Sequence, residues 1–142
     1  MSTIRQLSIF LENQFGRLNE VLEALSNENI NITALTIADT SEYGILRLIV
    51  SEPAKAYDVL KTAGFSVNLT DVLALWVSHK AGSLAQVLKK FAEEKLSIEY
   101  LYAFCLGEKA IIVLRTDNHP KAMEIIEGNK FALINEDDIK NI

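Results

Sequence analysis

Cysteine occurs once in the 142 residues, as Cys105. One thiol excludes an intramolecular disulfide and leaves too few sulfurs for a cysteine-based zinc site. Basic charge is also scarce. There are 14 Lys and Arg against 19 Asp and Glu, for a formal net charge of -5, and no basic run is longer than two residues. Such a chain makes a poor electrostatic footprint for nucleic acid. Long apolar runs are missing as well: Val72–Val77 (VLALWV) is far too short to span a bilayer, and no charged segment followed by an apolar one opens the chain. Disorder is excluded by what is present, since 49% of the residues are hydrophobic and only 23% are charged. The composition leads us to expect a soluble, cytoplasmic protein of mixed helix and strand, with no membrane and no nucleic-acid partner.

The chain repeats itself at an offset of 66 residues without a gap. Leu7 falls on Leu73, Gly16 on Gly82, Leu18 on Leu84, and Val21 and Leu22 on Val87 and Leu88. Glu28, Ile32, Leu35 and Leu48 fall on Glu94, Ile98, Leu101 and Leu114, and Lys55, Ala56 and Phe65 on Lys121, Ala122 and Phe131. The period is longer than the common solenoid repeats, so it reads as duplication of one small domain. The expected domains are 1–70 and 71–142.

Each copy carries the same order of patterns. Ile4–Leu11 and Leu73–Val77 read as strands. Leu18, Val21, Leu22 and Leu25, and then Leu84, Val87, Leu88 and Phe91, follow the i, i+3, i+4, i+7 spacing of a helix with one buried face. Asn31–Ala38 with Gly44–Val50, and Ser97–Cys105 with Lys109–Arg115, read as hairpins around the polar turns DTSEYG and LGEK. Ser51-Glu52-Pro53 and Asp117-Asn118-His119-Pro120 combine cap candidates with an early proline and open a second helix in each copy. Phe65–Leu69 and Phe131–Ile134 read as closing strands. The sum is an α+β protein of two tandem ferredoxin-like βαββαβ units.

A ferredoxin-like sheet has helices on one face only, so the other face should alternate to polar residues. It hardly does so here. Ile45 and Ile49 flank Arg47 opposite Leu46, Leu48 and Val50, and Tyr100, Tyr102 and Phe104 lie opposite Leu101, Ala103 and Cys105. Strands apolar on both faces are usually covered on both. We therefore expect the sheets to pack against each other or against a second chain, and a homodimer.

The turns between first strand and first helix read Glu12-Asn13-Gln14-Phe15-Gly16-Arg17-Leu18 and Ser78-His79-Lys80-Ala81-Gly82-Ser83-Leu84. Glycine there lets the backbone take positive φ, and the first N–H groups of the helix form a small anion site. Asn13 and neutral His79 each offer a donor and an acceptor to a second group.

With these turns the repeat resembles the ACT domain, the small regulatory module that binds amino acids in many metabolic enzymes. The family shows an acidic or amide residue, any residue, proline, glycine, any residue and leucine after its first strand. Ile9–Leu18 and Val72–Leu84 resemble this pattern, with Phe15 and Ala81 where proline is frequent and His79 where Asp or Asn is frequent. The resemblance implies a free amino acid as ligand, held where the turn of one domain meets the second strand of its partner. Carried over, Asn13, Phe15 and Gly16 would face Ser97 and Ile98, and His79, Ala81 and Gly82 would face Asn31 and Ile32. The joint around Asn68–Asp71 is so short that strand exchange would alter which turn faces which strand. A metabolic enzyme is the implied partner, and no cofactor is implied.

Rival readings lack residues. The lone Cys105 does not make a metallochaperone loop and is expected to be a buried strand residue. His119 is expected to face solvent, Asp137 and Asp138 to lie in a solvated tail, and no nucleophile–base pair or metal cluster is visible. The chain is therefore expected not to be an enzyme. The alternative to an amino-acid sensor is a ligand-free dimerisation or interaction scaffold.

Overall fold

The structure, a computed structural model, describes residues 3–39 and 42–141. Its order is β1 (Ile4–Glu12), α1 (Arg17–Asn27), β2 (Ile32–Asp39), β3 (Tyr43–Val50), α2 (Pro53–Thr62), β4 (Ser66–Ser78), α3 (Ser83–Glu93), β5 (Ile98–Leu106), β6 (Lys109–Thr116), α4 (His119–Gly128), β7 (Ala132–Leu133) and α5 (Glu136–Lys140). Thr40 and Ser41, in the turn expected between β2 and β3, lie outside the described residues.

The chain forms two compact units. One comprises Arg5–Asp71 with the residues from Asp137 onward, the other Val72–Glu136 with the residues up to Ile4. In the first, strands neighbour one another in the order β2-β3-β1-β4; in the second the order is β7-β4-β6-β5. Both are the ferredoxin-like arrangement.

Each core follows from register. Leu7 lies opposite Leu48 and Ile9 opposite Leu46, and their side chains are buried with Val21, Leu25, Ala56 and Leu60 from α1 and α2. In the second unit Leu73 lies opposite Leu114 and Leu75 opposite Ile112, packed with Val87, Phe91, Ala122 and Ile126 from α3 and α4. Each fully buried Leu or Ile contributes about 1.5–3 kcal/mol relative to exposure. The faces away from these clusters are apolar too. Ile49, Ala74, Ile111 and Val113 are buried, whereas Phe10 is half-exposed and stacks on Tyr43 at a centroid distance of 5.0 Å.

The duplication extends to individual hydrogen bonds. Lys55 Nζ donates to the Glu28 carbonyl at 3.0 Å, and Lys121 Nζ to the Glu94 carbonyl at 2.8 Å. Asn31 N–H donates to Ser51 Oγ at 3.0 Å, as Ser97 N–H does to Asp117 Oδ1 at 3.1 Å. Ser51 and Asp117 thus tie the start of one strand to the end of its neighbour. The cap position of α2 is Glu52, whose side chain makes no capping bond, whereas Asn118 caps α4 by accepting from Lys121 N–H.

Three details differ from the sequence expectations. The expected closing strand Phe65–Leu69 and opening strand Leu73–Val77 are parts of one strand, β4, because Asn68–Asp71 contains no glycine or proline to break an extended chain. The strand expected over Phe131–Ile134 shrinks to Ala132–Leu133. The tail carrying Asp137 and Asp138 forms the short helix α5, whose Ile139 is buried while both carboxylates stay exposed.

The unequal caps generate a prediction. Asn118→Ala should lower stability by about 1 kcal/mol, and Glu52→Ala by less than about 0.5 kcal/mol, because only the first removes a capping acceptor. Urea denaturation of both variants checks this, and equal losses would contradict it.

Candidate functional site

β1 ends at Glu12, and the chain turns at once. Asn13 N–H donates to the Glu42 carbonyl at 2.9 Å, Gln14 N–H to the Glu12 carbonyl at 2.9 Å, and Arg17 N–H to the Gln14 carbonyl at 3.3 Å. The second unit repeats the anchor, with His79 N–H donating to the Glu108 carbonyl at 2.9 Å. Gly16 and Gly82 then take φ of +82° and +88° and occupy the cap positions of α1 and α3. Neither helix receives a side-chain cap. A Cβ built on either glycine would meet nothing within 4 Å. The glycines are needed for their backbone angle, and the space beside both helix N-termini is open. Anionic groups are favoured there by the outward N–H groups and the helix dipole.

Beside the first turn lies a cavity of about 70 Å³, lined among others by Leu11, Asn13, Arg17, Leu18 and Ile37. It is well below the roughly 300 Å³ at which ligand pockets usually begin, so it suits a head group and not a whole ligand. Arg17 is held at its rim: its guanidinium lies 4.7 Å from the Phe65 ring, and Nη1 donates to Glu20 Oε2 at 2.7 Å. The equivalent position in the second turn is Ser83. Phe15 projects wholly into solvent, at 107% relative exposure.

Asn31 and Ile32 are elsewhere in the same unit. β1 and β2 each pair antiparallel with β3, so they run parallel, and the turn sits beside the C-terminal end of β2. Asn31 and Ile32 stand at its other end, roughly 23 Å away at about 3.3 Å per residue. There they line a separate depression of about 440 Å³ with Leu22, Ser26, Asn29 and Ile30. In the second unit His79, Ala81 and Gly82 are likewise at the opposite end of β5 from Ser97 and Ile98. The N–H groups of Asn31 and Ser97 are already engaged by Ser51 and Asp117.

The structure brings together a pair that sequence reasoning missed. Cys105 Sγ lies 3.4 Å from His79 Nδ1 and 3.8 Å from Nε2. Cys105 is exposed, against the expectation of a buried residue, because it sits near the end of the edge strand β5. With both ring nitrogens within 4 Å, the sulfur lies over the imidazole face and not in line with either lone pair. His119 is also not simply solvent-facing: it is half-buried, and its Nδ1 is buried without a hydrogen-bond partner among the described residues. Among those residues no group of three or more His, Cys, Asp or Glu is arranged to hold a metal ion. No helix among them is long and apolar enough to cross a membrane. Ile37 and Cys105 were in principle readable: parallel β1 and β2 in a split βαβ place the end of the second strand beside the turn.

The family described as an ACT domain pair matches residues 2–142. Among solved structures, protein BT0572 from Bacteroides thetaiotaomicron is 44% identical, with a TM-score of 0.95, covering 99% of this chain and 98% of that one. The ligand-free regulatory subunit of aspartate kinase from Thermus thermophilus is similar in fold, at 13% identity and a TM-score of 0.65 over 89% of this chain and 91% of that one. The corresponding subunit from Thermus flavus gives 13% and 0.62, over 90% and 93%. No curated protein matches the chain.

The glycine geometry predicts that Gly16→Ala and Gly82→Ala each lose about 1–2 kcal/mol of stability through the left-handed backbone alone. Thermal or urea unfolding measures it. A loss below about 0.3 kcal/mol at both positions would show that these turns do not need the positive φ.

Proposed function

The chain belongs to the ACT domain pair family, and from that premise we propose that it is a non-catalytic cytoplasmic regulator that binds a free amino acid at its strand-to-helix turns. The observation that carries this reading is the pair of turns at one register, each with a left-handed glycine, an uncapped helix and open space beside it. First-turn N–H groups of α1 and α3 hold the ligand carboxylate. Asn13 and His79, flanked by Phe15 and Ala81, supply polar partners and select the side chain. Asn31, Ile32, Ser97 and Ile98 contribute lining only, since the N–H groups of Asn31 and Ser97 are occupied within their own units. The two ACT-type domains divide at about residues 70 and 71. Occupancy is passed to a partner metabolic enzyme or to the protein's own assembly. The aspartate kinase subunits, at 13% identity, lend the fold to this reading and not the ligand.

Ligand binding to the native state alone stabilises it by about 2.7 kcal/mol at a hundredfold excess over Kd. For a chain of this size the melting midpoint should rise by roughly 5–15 °C. A thermal-shift series over the twenty amino acids singly tests it. Gly16→Val and Gly82→Val should remove most of the response, and Asn13→Ala should weaken binding by about 1–3 kcal/mol. No shift with any amino acid at about 10 mM, where even a millimolar Kd would register, would leave the scaffold reading in its place.

Large apolar side chains remain exposed at Phe10, Phe15, Leu35, Ile37, Tyr43 and Leu106. Together with the outermost places of β2 and β5 in the strand order, they support assembly into a homodimer. Sedimentation equilibrium at micromolar concentration should return the dimer mass; a monomer refutes the assembly.

A further inference from the structure

The ring of Phe15 stands wholly in solvent on the turn that opens α1. It does not stand alone. Leu35 and Ile37 of β2 are half-exposed, and their register opposite Leu48 and Leu46 puts them on the helix-covered side of the strand, the side where Leu18 of α1 packs. β2 holds the outermost place in the strand order. Ile37 and Leu18 also line the small cavity beside the turn. These side chains make one apolar strip along the α1–β2 rim of the first unit, with Phe15 at one end.

The other end of the strip is a hollow. The depression of about 440 Å³ at the start of β2 is lined by Leu22, Ile30 and Ile32 with Ser26, Asn29 and Asn31, and none of these residues is charged. A cavity of about 150 Å³ already takes a benzene ring, and an uncharged lining strips no ion of its water when a ring enters. A free amino acid would bring two charges and meet no charged partner among these residues. Phe15 cannot fill the hollow of its own chain, which lies roughly 23 Å from the turn along β2. A second copy can. A half-turn about an axis beside the middle of β2 exchanges the two ends of the strip, so each ring meets the other chain's hollow, and Leu35 and Ile37 cover one another between them. With the walls of the hollow, such a contact covers about 1,200 Å² in all, the size at which specific interfaces begin. The second unit offers no equal surface, since the positions of Phe15 and Ile37 carry Ala81 and Ala103.

We propose that the first units of two chains associate through this rim, the Phe15 ring of each docking into the Leu22–Ile30–Ile32 hollow of the other. This rests on the homodimer reading above, and gives that dimer its surface and its anchor residue. Phe15 is the anchor because a fully exposed aromatic ring entering an apolar hollow gains more burial than any other side chain of the strip. The contact is self-complementary, so it closes at two chains and leaves no end to recruit a third.

Sedimentation equilibrium of the full chain and three variants tests this without any amino-acid ligand. Phe15, Ser26 and Ala81 are all exposed, so Phe15→Asp, Ser26→Trp and Ala81→Asp keep the fold, which circular dichroism checks. Phe15→Asp removes the ring and Ser26→Trp fills the hollow, and each should raise the dimer Kd about tenfold or more. Ala81→Asp, at the equivalent turn of the second unit, should leave the Kd within about twofold. Mixing the Phe15→Asp and Ser26→Trp chains should restore association, because one brings an intact hollow and the other an intact ring. A dimer whose Kd neither variant moves, or that Ala81→Asp weakens as much, or variants that mixing does not rescue, overturn the docking and leave the homodimer reading standing. A monomeric parent overturns both. Should Ser26→Trp not fold, Phe15→Asp against Ala81→Asp still decides.

Discussion

The register of first strand against third is the constraint on which the rest depends. Leu7 opposite Leu48, and Leu73 opposite Leu114, are the same pairing 66 residues apart. A slip of one residue would turn every second side chain from the helices to the opposite face. With the register set, Val21 and Leu25 meet one side of the first sheet and Val87 and Phe91 one side of the second. The same register ends β1 at Glu12 and β4 at Ser78, so both turns begin at fixed places. The helices must then start at Gly16 and Gly82, where only a left-handed residue reverses the chain in so few steps.

On this common frame the two copies have diverged in side-chain chemistry. The stack of Phe10 on Tyr43 in one unit is replaced in the other by Lys109 Nζ lying 5.5 Å from the Trp76 ring centre. Arg17, fixed over Phe65, is replaced by Ser83. Asn13 is replaced by His79, and His79 has acquired Cys105 as its neighbour. Backbone anchors change far less: the bonds of Lys55 and Lys121 to helix-end carbonyls, and of Asn13 and His79 to hairpin carbonyls, occur in both. Backbone groups need the same partners whatever the side chains do, whereas a turn's exposed side chains can change without cost to the core.

Helices, repeat and family pattern were legible in the primary structure because they are local and periodic. The stripe Leu84, Val87, Leu88 and Phe91 names a buried face with no knowledge of what covers it. The unbroken β4 was harder to read. Asn68, Thr70 and Asp71 look like a polar joint, and only the pairing of β4 with β1 and with β6 makes them part of one strand. The helix α5 was missed for the same kind of reason, since one buried residue, Ile139, is too few to make a period.

The candidate site divides in the same way. Sequence alone determined the two glycine turns and their equivalence, because each lies within a few consecutive residues, whereas the structure decided that no side chain caps either helix. Tertiary structure decided what stands beside them. Ile37 reaches the first turn, Asn31 and Ile32 lie at the far end of the same strand, and Cys105 comes to His79 across 26 residues of chain. Those neighbours follow from strand direction and hairpin register, which long-range pairing sets and no local pattern specifies.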